Sequence, residues 1–86
     1  MPDELTERVI QVMAKTQHLP PESITIDKTF AELKIDSLDG MNILFAVESE
    51  FDIAIPDDQA AGIKSVREMV EGIGRLVAAK EAAAQG

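Results

Sequence analysis

Apolar residues recur at helical spacing near both ends of the chain. Leu5, Val9, Val12 and Met13 fall at i, i+4, i+7 and i+8, and Val66, Met69, Val70, Ile73 and Val77 keep the same period. A strand would need apolar residues at every second position, so these two stretches can bury one stripe only as helices. The first helix is predicted from about Asp3 to Gln17, with Asp3 as its cap and Glu4 and Glu7 near the positive end of its dipole. Pro20-Pro21 stops it. The last helix opens at Ser65-Val66-Arg67-Glu68, which matches a capping box with Ser65 at the N-cap and Glu68 at N3. The Ala-rich tail from Lys80 to Gly86 has nothing to pack on and is expected to fray.

Between these helices lie a long connection, a second helix and a short third one. Ile24 and Ile26 alternate with polar residues, but no other stretch offers a partner strand. Residues 22–35 are therefore expected to form an extended loop pinned by its Ile side chains. Phe30, Leu33 and Ile35 anchor it, with a short helical turn at Thr29 to Leu33. The second helix is predicted from about Ser37 to Glu50 or Phe51. A break at Asp52 to Pro56 follows, then a short helix capped by Asp57 and ending near Gly62. With 86 residues the chain is one domain, 1–86, and its core is thin. Its only aromatic residues are Phe, so aliphatic side chains must fill the interior, as in a small all-α bundle.

The chain contains no Cys, so any thiol chemistry must come from outside the polypeptide. Formal net charge is −8. That sign opposes nucleic acid and anionic membrane surfaces and favours partners with basic patches. No stretch approaches the ~20 apolar residues of a membrane span, and no basic, apolar leader opens the chain. A monomer in the cytoplasm fits these features. Nearly all the net charge falls in residues 36–58, which hold Asp36, Asp39, Glu48, Glu50, Asp52, Asp57 and Asp58 and neither Lys nor Arg. Glu48 and Asp52 stand at i and i+4, where like charges repel along a helix.

The second helix is apolar over too wide an arc. At 100° per residue its apolar side chains cover roughly 220°, well above the ~100° that a core-facing stripe needs. One edge carries Ile43, Leu44, Val47 and Phe51; the other carries Leu38, Met41 and Phe45, with Glu48 among them. A thin core could use both edges. Alternatively the edge with Glu48 faces water and forms a docking surface ringed by acids.

Ser37 stands at the start of this helix, between Asp36 and Leu38. Backbone N–H groups and the helix dipole favour an anion there, such as a phosphate ester, although an ordinary capping serine looks the same locally. Other chemistry is weakly represented. His18 is the only His and sits at a helix end beside Pro20. Asp36, Asp39 and Gly40 lack the spacing of a calcium loop, so no metal site is expected.

Asp36-Ser37-Leu38-Asp39, then Glu48-Ser49-Glu50-Phe51, then Ile55-Pro56-Asp57-Asp58 together resemble the bacterial acyl carrier proteins in order and spacing. Phe30-Ala31-Glu32-Leu33 before the serine and Ser65-Val66 at the last helix fit the same pattern. The resemblance implies a four-helix bundle with a long loop between helices 1 and 2 and a short third helix. It implies no enzymatic activity. It implies that a phosphopantetheinyl transferase joins 4′-phosphopantetheine from coenzyme A to Ser37, and that acyl groups ride on this arm as thioesters. Separate acyl-loading and acyl-processing enzymes of fatty-acid, polyketide or specialised lipid biosynthesis would be its partners. Asp36, Leu38, Asp39, Met41, Phe45 and Glu48 would meet them. A carrier of aminoacyl or peptidyl groups is the alternative, and the acidic second helix speaks against it. The chain departs from the fatty-acid members at Lys34-Ile35, where many have Gly-Ala, at Gly40, where Thr or Ser is common, and at Asn42, where many have Glu.

Overall fold

The computed structural model describes residues 4–85. Its elements are α1 (Glu4–Gln17), a 3₁₀ turn (Pro21–Ser23), α2 (Ser37–Phe51), α3 (Asp57–Ala61) and α4 (Val66–Gln85). The four helices, the long α1–α2 connection and the short α3 follow the sequence pattern. Asp3, expected to cap α1, lies outside the described residues.

The interior is aliphatic, as the composition requires. Val9 and Met13 of α1, Ile43 and Val47 of α2, and Val66, Met69 and Ile73 of α4 are fully buried, and Ile24 of the connection joins them. Among the described residues no polar or charged residue is buried. Gly74 lies where α4 passes close to α1: an added Cβ would stand 3.1 Å from Leu5 Cδ2.

The connection is pinned in two ways. Ile24 is buried, and Ile35 is nearly so. The connection also does find an extended partner, in the α3–α4 loop. Thr29 and Ser65 form an isolated antiparallel bridge, with Phe30 N–H donating to Lys64 C=O at 2.9 Å and Val66 N–H to Lys28 C=O at 3.0 Å. The turn after Thr29 is closed by a capping box: Thr29 N–H donates to Glu32 Oε1 at 2.8 Å, and Glu32 N–H donates to Thr29 Oγ1 at 3.1 Å. At α4 the first bond of the expected box is present, and the return bond goes to the residue before the cap. Glu68 N–H donates to Ser65 Oγ at 3.1 Å, and the Glu68 carboxylate accepts from Ser65 Oγ and Lys64 N–H.

His18, Lys34 and Asp52 have left-handed backbones, with φ of 56, 61 and 54°. Each ends a helical turn, and the next N–H reaches back five residues: Leu19 to Ala14, Ile35 to Phe30, and Ile53 to Glu48. This is the hydrogen bond of a helix stop usually built on Gly, here made with residues that carry a Cβ.

Two expectations are corrected. Asp57 does not cap α3; Pro56 holds the N-cap position without a side-chain bond, and Asp57 is the first helical residue. α4 runs to Gln85, and from it Lys80 Nζ donates to Asp52 Oδ2 at 2.9 Å and to Phe51 C=O at 3.3 Å. Asp52 is therefore not a repelling i+4 neighbour of Glu48 on a helix: α2 has ended there, and the carboxylate pairs with Lys80. Glu50 likewise pairs with Arg8 at 3.0 Å, and the Arg8 guanidinium lies 4.5 Å from the Phe51 ring centroid. Bases from α1 and α4 thus offset part of the acidic segment, although such exposed pairs contribute at most about 1 kcal/mol each.

Candidate functional site

The N-terminus of α2 is built by Asp36. Its backbone is extended, and its side chain accepts the Asp39 N–H at 2.8 Å. Its carbonyl accepts the Gly40 N–H at 2.8 Å. Asp36 is thus the N-cap, and Ser37 is the first helical residue rather than the capping serine that the local sequence also allowed. The consequence is chemical. The Ser37 side chain is exposed and bonded to no other described residue, so its hydroxyl is available at the positive end of a 15-residue helix.

Beside Ser37 opens a groove of about 810 Å³ that runs between α2, the Thr29–Ile35 turn and α3. Ser37 and Gly40 stand on its wall, and its apolar lining includes Phe30, Leu44, Ile55 and Ile63. A Cβ added at Gly40 would meet nothing within 4 Å, so the wall is open next to the serine. A second depression of about 890 Å³, lined by Glu7, Arg8, Gln11, Lys15 and Glu50 among others, follows α1 and does not include Ser37.

The two edges of α2 separate as the arc of apolar residues allowed. Ile43, Val47 and Phe51 are buried, with Leu44 partly so. Leu38, Met41 and Phe45 are 74, 51 and 59% exposed. Asp36 is exposed and Asp39 half-buried on the same helix start. Glu48 is half-buried, and its carboxylate is engaged: Oε2 accepts the Ile55 N–H at 2.7 Å. Sequence reasoning missed this bond, because a contact spanning seven residues across a helix stop leaves no periodic trace. It also missed Ile55 and Lys64 as groove residues. The Thr29–Glu32 box did leave a signal, since Thr29-Phe30-Ala31-Glu32 has the same pattern as Ser65-Val66-Arg67-Glu68.

Comparison with known proteins decides the family. The model of the phosphopantetheine attachment site matches residues 7–73, which include Ser37 and every element that lines the groove. The chain belongs to the phosphopantetheine attachment family. Similar members include the mitochondrial acyl carrier protein of Dictyostelium discoideum, 42% identical over 77 residues. That match spans 90% of this chain and 64% of the relative, so the chain covers less than two thirds of that protein's length. The acyl carrier protein of Thermosynechococcus vestitus is 36% identical over 77 residues, covering 88% of this chain and 95% of its own. That of Rickettsia canadensis is 39% identical over 72 residues, covering 83 and 84%. The resemblance to bacterial carriers therefore widens to a family with bacterial and mitochondrial members.

The cofactor of this family, 4′-phosphopantetheine, fits the site. A phosphodiester on Ser37 would sit at the N-terminus of α2, where the dipole favours an anion, and the groove begins beside it. When bound, the group supplies the thiol that a chain without Cys lacks. Among the described residues no helix is long and apolar enough to cross a membrane.

Proposed function

We propose that Ser37 carries the phosphopantetheine arm and that this chain is an acyl carrier, delivering thioester-bound intermediates to separate enzymes of fatty-acid or related lipid or polyketide synthesis. One observation carries the reading: an exposed, unengaged serine hydroxyl at the start of α2 opens directly onto an apolar groove. Asp36 holds the turn that presents Ser37, and its carbonyl bond to Gly40 fixes the helix start. The groove shelters an acyl chain from water, with apolar side chains of α2, α3 and the Thr29–Ile35 turn as its walls. The chain holds and presents cargo, and its partners supply the catalysis. The three relatives described above, each called an acyl carrier protein, support this reading over an aminoacyl or peptidyl carrier.

Partners approach the exposed edge of α2. Leu38, Met41 and Phe45 offer apolar contact, and Asp36, Asp39 and Glu48 steer basic surfaces of the transferase and of acyl-processing enzymes. We place the protein in the cytoplasm as a monomer, with the mitochondrion as the alternative that the Dictyostelium relative raises. A loading assay with the phosphopantetheinylated protein tests the cargo class. Acyl-activating enzymes should form a thioester, and aminoacyl-activating enzymes should not. The opposite preference overturns the acyl reading.

A further inference from the structure

Among the acids assigned to docking, Glu48 has a bond that docking does not require. Its Oε2 accepts the Ile55 N–H at 2.7 Å. Glu48 and Ile55 both line the groove, yet Glu48 belongs to α2 and Ile55 to the break that leads into α3. Ile55 is nearly buried and immediately precedes Pro56 and α3, a five-residue helix too short to hold itself in place. No side chain caps α3. The exposed Phe45 lies one turn before Glu48 on the same helix.

We propose that Glu48 is a positioning residue for the cargo groove: its carboxylate holds the Ile55 backbone, and through it the α3 wall, against α2. The inference rests on the groove being the acyl site. A single carboxylate then serves two surfaces: Oε2 holds the Ile55 N–H, and Oε1 is left to meet a cationic partner group. Charge and reach can be separated by substitution. Glu48→Gln keeps the length and an acceptor oxygen but loses the charge. Glu48→Asp keeps the charge but is one methylene too short to reach Ile55. Glu48→Ala loses both.

Two readouts decide. Hydrogen exchange at the Ile55 amide, with the Val47 amide as a control for folding, reports the bond whether or not the chain is a carrier. Exchange should rise about tenfold in Glu48→Ala and Glu48→Asp and stay within about threefold of wild type in Glu48→Gln. The second readout uses protein carrying an octanoyl-phosphopantetheine group transferred from octanoyl-coenzyme A, and follows thioester cleavage by hydroxylamine. Cleavage should accelerate several-fold in the Ala and Asp variants only. Unchanged Ile55 exchange in the Asp variant overturns the inference, as does Glu48→Gln behaving like Glu48→Ala. Faster exchange with unchanged cleavage also overturns it. Failure to load Ser37 at all would instead refute the carrier reading, and the exchange data would still judge the bond.

Discussion

Asp36 accepts the Asp39 N–H at 2.8 Å, and this bond takes the capping role away from Ser37. The serine hydroxyl is left free because its neighbour has done the work that a helix-start serine usually does. Cap and charge at Asp36 can be separated. Asp36→Ala should lower stability by about 1 kcal/mol, whereas Asp36→Asn, itself a good cap, should change it by only a few tenths. Both should raise the KM of the transferase more than they lower kcat, since both remove a steering charge. Denaturant midpoints and transferase kinetics on the two variants check this.

The exposed edge of α2 should be separable from the core edge. Met41→Ala and Phe45→Ala, at half-exposed positions, should shift stability by about 0.5 kcal/mol or less while weakening partner affinity. Phe51→Ala should cost about 3–5 kcal/mol, a large part of a small domain's stability, and Val47→Ala should also lower the melting point. Thermal melts set beside binding to an acyl-processing partner would show it. A Phe45→Ala domain that unfolds as readily as Phe51→Ala would mean that both edges are core.

Much of this was legible in the sequence. The period of Val9 and Met13 and of Val66, Met69 and Ile73 marked the core stripes of α1 and α4, and the capping box at Ser65 marked where α4 begins. Local pattern did not show what distant residues supply. Lys80 on the last helix reaches Asp52 and the Phe51 carbonyl, and Arg8 offsets Glu50 from another helix; these are tertiary contacts with no periodic signature. The wide apolar arc of α2 raised the possibility of an exposed edge but left it open, because hydrophobicity alone does not say which side of a helix lacks a neighbour.

Lys34 shows how a departure from the family pattern gains a physical meaning. Many fatty-acid members have Gly there, and the backbone at Lys34 has a φ of 61°, a region that strains residues with a Cβ. Lys34→Gly should therefore raise stability by about 1 kcal/mol, and Lys34→Ala should not. A shift in denaturant midpoint at constant m-value measures it. No gain in the Gly variant would mean that the turn is not left-handed.

Glu32 gives the pH dependence. The Thr29 backbone N–H, then the Thr29 hydroxyl, hold its carboxyl below the usual glutamate value, and Lys28 adds to the effect. A carboxyl with a lowered folded pKa stabilises the fold above its unfolded value and loses that contribution as pH falls through the folded one. An NMR titration should place the Glu32 midpoint below that of an unstructured glutamate. Thr29→Val should restore only part of the difference, because the backbone N–H remains.

The assignment of Ser37 is tested most directly by intact mass after treatment with a phosphopantetheinyl transferase and coenzyme A. Wild type should gain one phosphopantetheine group and Ser37→Ala none, with the Ala variant melting like wild type because Asp36 and not Ser37 caps the helix. An unmodified wild type, or a modified Ser37→Ala, would contradict the account.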